Sequence, residues 1–270
     1  FSQKMRYPLF IKPLYGAGSY GAKKLNSVDE LHSYFSNMHK MTHISTDAGE
    51  TSRYQFILSE YIEGTEYMVD SFSKSGTHKI NILKYDKEVF NDSTIYNSVK
   101  LEHNALIRSK IISYVSKVLD TLGVKNGLAH TEIFLNDDVV LIEINMRISG
   151  ARGFPIRMVN FSGENSQIDY FLINICNLPP QILPKHHVEL LVLYSINDNP
   201  IPDITSALLN NKYVTYIEQL VKPGTLREKK KSYSVLDIIA LVILAADNED
   251  ELMEERRKLL EKDRLLGWKS

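Results

Sequence analysis

The chain carries a single cysteine, Cys176, in 270 residues. One thiol cannot close an intrachain disulfide, so no disulfide framework holds this fold, and a reducing, cytoplasmic setting suits it. Excess charge is missing too: 32 Lys and Arg stand against 33 Asp and Glu, well mixed, for a net charge of -1. That balance argues against nucleic acid and against a membrane surface as partner. The longest apolar run, Leu236 to Ala246, is too short to cross a bilayer. No signal peptide, internal repeat or low-complexity tract is visible. There is no Gly-Lys-Ser/Thr phosphate loop, no dinucleotide fingerprint, and no Ser/His or Cys/His constellation for nucleophilic catalysis. Cys176 itself ends the apolar run Phe171-Leu172-Ile173-Asn174-Ile175 and reads as a core thiol.

What is present is a 43% hydrophobic chain, enough for a substantial core in one large domain or two smaller ones. Its most informative stretch is Val139-Val140-Leu141-Ile142-Glu143-Ile144-Asn145-Met146-Arg147-Ile148-Ser149-Gly150. Read as a strand, it alternates faces. Val140, Ile142, Ile144 and Met146 share one; Leu141, Glu143, Asn145 and Arg147 share the other. A carboxylate, an amide and a guanidinium make a poor core face, because burying them unpaired is costly. Glu and Asn oxygens suit a hard cation, and Arg suits a phosphoryl or carboxylate oxygen. The preceding strand, His130 to Leu135, ends at Asn136-Asp137-Asp138, a hairpin signal. A two-residue loop sets Glu132 opposite Leu141 and diagonal to Glu143 on one face; one residue more would turn Glu132 away. Taken alone, the stretch also fits a solvated edge strand.

Upstream, Tyr7 to Pro13 is a short strand with Lys12 near its end, followed by a loop holding Gly16, Gly18 and Gly21. Glycine backbone can approach phosphates, although a surface turn has the same composition. Ser27-Val28-Asp29-Glu30 is a capping box that opens a helix to about Met38, with Val28, Leu31 and Phe35 inward. Lys40 to Ser52 is a polar connection. Strands follow at Tyr54–Ile62, Tyr67–Ser73 and Thr77–Tyr85, with turns at Glu63–Glu66 and Ser75-Gly76. Leu101 to Leu122 is a helix whose inward face runs along Leu101, Ala105, Ile112, Val115, Val118, Leu119 and Leu122, stopped at Gly123. After Arg147 a glycine-rich loop leads to a helix starting at Pro155, and another helix covers Ile168 to Ile175. Val188–Ser195, Lys212–Gln219 and part of Tyr233–Ala246 read as strands, Lys229 to Lys231 as a solvated loop, and Asn248–Leu265 as a closing amphipathic helix.

Lys12 with its glycine loop, Glu60 to Glu66, Glu132, and Glu143-x-Asn145-x-Arg147 occur in an order that resembles the ATP-grasp ligases. The resemblance covers roughly residues 7 to 175. It implies an α+β fold in which two α+β lobes clasp ATP, with a hinge near 59–67, a first domain over 1–185 and a small C-terminal α+β subdomain over 186–270. It implies nucleotide contacts from Lys12, Gly16, Gly18 and Ser19 to phosphates, from backbone around Glu60, Tyr61 and Ile62 to adenine, from Glu66 to ribose, and from Leu141. It implies Mg²⁺, with Mn²⁺ as substitute, on Glu132, Glu143 and Asn145, and Arg147 on a developing oxyanion. The implied reaction joins a carboxylate to an amine through an acyl phosphate, leaving ADP and phosphate. Arg147-Ile148-Ser149-Gly150-Ala151 looks more like the L-amino-acid ligase branch than biotin carboxylase, which would have Val-Glu-His there. A carbamoyl-phosphate-synthase-like or carboxylase activity shares every ATP contact, and a non-catalytic nucleotide-binding module would lack the metal face. His130 is either structural or a phosphate or substrate contact; Arg152 is either a carboxylate clamp or a solvated side chain. The family also places an open α/β domain before the Lys12 strand. Only six residues precede Tyr7 and Phe1 is not an initiator methionine, so that domain is expected outside this sequence, leaving apolar surface suited to self-association as a homodimer.

Overall fold

The computed structural model describes residues 6–14, 21–37, 55–90, 93–180, 184–195, 198–228, 235–266 and 268–269. Gly16, Gly18 and Ser19 lie outside the described residues, as do the connection at 40–52 and the lysines at 229–231. The chain divides into two compact units, residues 1–63 and 64–270.

Among the described residues, the first unit has a three-stranded antiparallel sheet, order β2-β1-β3, built from β1 (Leu9–Pro13), β2 (Lys23–Leu25) and β3 (Phe56–Glu60), with helix α1 (Val28–Ser36). Alternation on β1 sends Leu9 and Ile11 into a core with Leu25, Leu31 and Tyr34, and turns Phe10 and Lys12 to the other face. Ser27 caps α1 by accepting from the Glu30 N–H at 3.2 Å. The Glu30 carboxylate, however, accepts from the Asn26 N–H at 2.9 Å rather than from Ser27, so the expected box is displaced by one residue. Helix α1 buries Leu31 and Tyr34, whereas Val28 and Phe35 are nearly half exposed. The inward stripe is set by Tyr34, whose hydroxyl donates to the Gly21 carbonyl at 2.6 Å. The buried line therefore runs through Leu31 and Tyr34 rather than through Val28 and Phe35.

The second unit holds one antiparallel sheet. Its strands are β4 (Thr65–Lys74), β5 (Thr77–Phe90), β6 (Ser93–Leu101), β7 (Gly127–Leu135), β8 (Val139–Asn145), β9 (His187–Ser195), β10 (Val214–Gln219) and β11 (Ile238–Ala246), in the order β10-β11-β9-β6-β5-β4-β7-β8. A short β12 (Trp268–Lys269) pairs with β9.

Helix α2 (Ala105–Thr121) packs on one face of β4, β5, β7 and β8, burying Ile111, Val115 and Leu119 against Tyr67, Val69, Ile82 and Ile133. Asn104 caps it by accepting from the N–H groups of Leu106 and Ile107, and Gly123 follows it at φ 71°. Leu122, expected inward, is more than half exposed. On the opposite face lie α3 (Phe154–Phe161) and α4 (Gln167–Ile175). Phe154, Met158 and Val159 of α3 join Met68, Leu83, Val99, Leu190 and Val192, and Tyr170 of α4 stacks on Phe72.

Strand β6 pairs with both β5 and β9, so the C-terminal strands extend the same sheet rather than forming a separate one. The division of the chain falls at 63/64. Leu190, Val192 and Tyr194 of β9 face the α3 core, while Leu191 and Leu193 face a third core with α5 (Ile204–Leu208) and α6 (Glu249–Leu266). Burial on both faces explains the unbroken apolar run of β11. Cys176 sits just past α4 and is exposed, which corrects the core assignment: the helix turns its Phe72-facing side inward and leaves Phe171, Ile175 and Cys176 outside. Among the described residues, no helix is long and apolar enough to cross a membrane.

Candidate active site

The hairpin joining β7 and β8 sets the geometry. Leu135 pairs with Val139, so the loop is Asn136–Asp138, one residue longer than the loop that places Glu132 opposite Leu141. A regular ladder from that loop would put Glu132 opposite Ile142. Instead the register shifts between Ile133, which pairs with Leu141, and Glu132, which pairs with Glu143. Ile142 is the extra residue of a bulge. Glu132 and Glu143 therefore share a face by direct opposition rather than along a diagonal.

The bulge also moves Leu141. Its partner Ile133 is fully buried under α2, and Leu141 packs in that same core, where its N–H donates to the Tyr114 hydroxyl at 3.1 Å. Leu141 is thus on the face opposite Glu143, which corrects the expected shared face. Ile144 joins the α2 core as well, rather than lying with Val140, Ile142 and Met146 away from Leu141.

Two rows of side chains cross the sheet on the carboxylate face. Met68, Glu132 and Glu143 form one; Asp70, His130 and Asn145 form the next. The Asn145 amide donates to Glu143 Oε1 at 2.9 Å. His130 is buried, with Nδ1 2.8 Å from Asp70 Oδ1 and Nε2 3.5 Å from Glu132 Oε1. Burial opposes its charge, but the hydrogen bonds to Asp70 and Glu132 outweigh it and push the imidazole up to about 9. Arg147 follows β8, is exposed, and donates from Nη1 to the Ile148 carbonyl at 2.9 Å.

Glu66 lies inside β4 rather than in the turn before it, two residues from Met68 and on the same face. Burial raises its pKa, and the charges of Glu132 and Glu143 add to the rise against the opposing effect of Lys87. Lys87 of β5 is not among the residues that the sequence marks; its ammonium is 2.6 Å from Glu66 Oε2 and lies over the Tyr96 ring at 4.4 Å. Burial opposes the lysine's charge, yet Tyr96 and Glu66 prevail and raise its pKa.

Past Arg147, Ala151, Arg152 and Gly153 all have positive φ, at 49°, 55° and 79°. Two non-glycine residues in succession there are strained. Arg152 Nε is held by Glu218 of β10 at 2.7 Å, so its guanidinium is engaged within the fold. Gln167 donates to Ser149 Oγ at 2.9 Å and ties the same loop to the start of α4. Elsewhere, Ser73, His78 and Asp120 make a row with contacts of 2.7 and 3.4 Å. Ser73 is 1% exposed, which closes it to any substrate as a nucleophile.

In the first unit, Lys12 pairs in register with Ile57, and Glu60 ends β3 opposite Leu9. The Tyr61 N–H donates to the Pro8 carbonyl at 3.1 Å, so this backbone donor serves the sheet. Lys24, also absent from the sequence-based set, stands opposite Phe10 on the Lys12 face, 4.0 Å over the Tyr61 ring and 3.7 Å from Glu63. Alternation along β2 could have identified it once Leu25 was placed in the core.

Among the described residues, no group of three or more His, Cys, Asp or Glu side chains is arranged to hold a metal ion. The set of interest has two carboxylates and an amide, all oxygen donors. Such a set fits Mg²⁺, which keeps several waters and takes one or two carboxylates beside substrate phosphates.

No curated protein matches this chain. Solved structures share its fold at low identity. An L-amino acid ligase from Bacillus licheniformis superposes with TM-score 0.75 at 17% identity, covering 94% of this chain and 63% of that one. An N5-carboxyaminoimidazole synthase from Aspergillus clavatus, in complex with ADP and 5-aminoimidazole ribonucleotide, gives 0.63 at 17%, covering 96% and 63%. Biotin carboxylase from Campylobacter jejuni gives 0.61 at 13%, covering 97% and 58%. The chain thus spans about three fifths of the length of these proteins. The model of the ATP-grasp domain matches residues 5–154, more than half of the sequence, and the chain belongs to the ATP-grasp family.

Proposed function

We propose that this chain is the nucleotide-binding and catalytic part of an Mg²⁺-dependent ligase that joins a carboxylate to an amine through an acyl phosphate. The observation that carries the reading is the opposition of Glu132 and Glu143, with Asn145 bonded to Glu143 and Arg147 just beyond. Two carboxylates facing each other repel, and a cation between them relieves that repulsion.

In this reading Glu132, Glu143 and Asn145 hold the metal, which when bound neutralises phosphate charge. Lys12 and the loop with Gly16, Gly18 and Ser19 orient the phosphates. Backbone around Glu60, Tyr61 and Ile62 takes the adenine edge, and Glu66 accepts from ribose hydroxyls. Arg147 donates to the oxyanion that forms as the amine attacks. Positioning and electrostatics supply such catalysis without a protein nucleophile. The likeness in fold to an L-amino acid ligase supports amino acids as substrates. A carboxylase-like activity would share the ATP contacts and differ in the acceptor.

The test is a pairwise screen of amino acids with ATP and Mg²⁺, following nucleotide products. ADP and phosphate released in step with a new amide support the reading. AMP and pyrophosphate as stoichiometric products would exclude an acyl phosphate.

A further inference from the structure

His130 and Glu132 are separated by one residue on β7, so both side chains leave the same face. Across the ladders, His130 stands between Asp70 and Asn145, and Glu132 between Met68 and Glu143. Asp70 and His130 are 2% and 6% exposed. Polar groups withdrawn that far from water are costly unless paired, and these two are paired with each other at 2.8 Å. That bond occupies Nδ1 and fixes the ring. The other nitrogen then points along the strand toward Glu132 Oε1, 3.5 Å away.

Glu132 needs such a restraint. Its side chain is about a quarter exposed, and Glu143 directly opposite repels it. A glutamate side chain loses rotamer freedom when it is held in one orientation. We propose that His130, oriented by Asp70, is a positioning residue for Glu132: Nε2–H engages one carboxylate oxygen and leaves the other turned to a divalent cation shared with Glu143 and Asn145. This rests on the metal reading of Glu132 given above.

The experiment measures Mn²⁺ binding in the presence of ADP, by electron paramagnetic resonance of the free ion, and ADP binding without metal by calorimetry. His130→Ala should weaken Mn²⁺ about 10- to 100-fold, as loss of a group supporting a metal ligand commonly does, and leave metal-free ADP affinity unchanged. Asp70→Asn should weaken Mn²⁺ in the same direction by less. Combining His130→Ala with Glu132→Gln should give no greater loss than Glu132→Gln alone, because the histidine acts through that carboxylate. Multiplying losses in the double variant would overturn the proposal. So would unchanged Mn²⁺ affinity in His130→Ala while Glu132→Gln weakens it. An unaffected Glu132→Gln would defeat the metal reading itself, and the proposal with it. Should His130→Ala fail to fold, His130→Gln carries the same comparison.

Discussion

Lys87 Nζ lies 2.6 Å from Glu66 Oε2, joining β5 to β4 where both side chains are at least four-fifths shielded from solvent. An ion pair so enclosed stands or falls as a unit, because either partner alone is a desolvated charge.

Lys87→Met should therefore cost about 3–5 kcal/mol of stability at neutral pH. Glu66 then lacks the cation that opposes its raised pKa, so part of the loss should return as the pH is lowered and the carboxyl protonates. Adding Glu66→Gln to Lys87→Met should recover most of it. Urea unfolding of the two variants and the wild type measures this, and a double variant no more stable than Lys87→Met would count against the pairing.

Much of this framework is legible in the sequence. Gly123 and the buried Val115 and Leu119 mark α2, although the helix starts at Ala105 rather than at Leu101, which ends β6, and the types of Glu132, Glu143 and Asn145 mark the polar face. The register is not legible. The Asn136–Asp138 loop is one residue longer than assumed, and only the bulge at Ile142 returns Glu132 to the Glu143 face. A local alternation rule has no means of detecting an extra residue, so it misplaces Leu141. Lys87 is hidden for a related reason: its partner Glu66 lies on another strand, and pairing across the sheet sets its environment. The place of β6 beside β9 is equally invisible, because that pairing joins segments about ninety residues apart. Cys176 is misplaced because an apolar run does not state which side of α4 meets the sheet.

His130 supplies a pH dependence of stability. Its pKa in the fold is about 9 against an ordinary value of 6.5. A raised histidine stabilises fully below the unfolded pKa and loses that contribution as pH rises through the folded one. The wild type should lose up to about 3 kcal/mol relative to His130→Gln between pH 6.5 and 9. Denaturant unfolding at both ends of this window checks it; parallel profiles for the two proteins would remove the imidazolium.

Cys176 is exposed at the end of α4. It should react with a thiol reagent such as dithionitrobenzoate in the native protein as fast as in urea, within a small factor. A thiol that reacts only after unfolding would show that α4 buries this end.

The central claim is that Glu143 belongs to a metal–nucleotide site. Calorimetry of ADP binding to the wild type and to Glu143→Ala, each with and without Mg²⁺, tests it most directly. The account predicts that Glu143→Ala weakens binding at least about tenfold with Mg²⁺ present, in line with the loss of a charged contact, and leaves metal-free binding nearly unchanged. Equal losses with and without Mg²⁺ would contradict it.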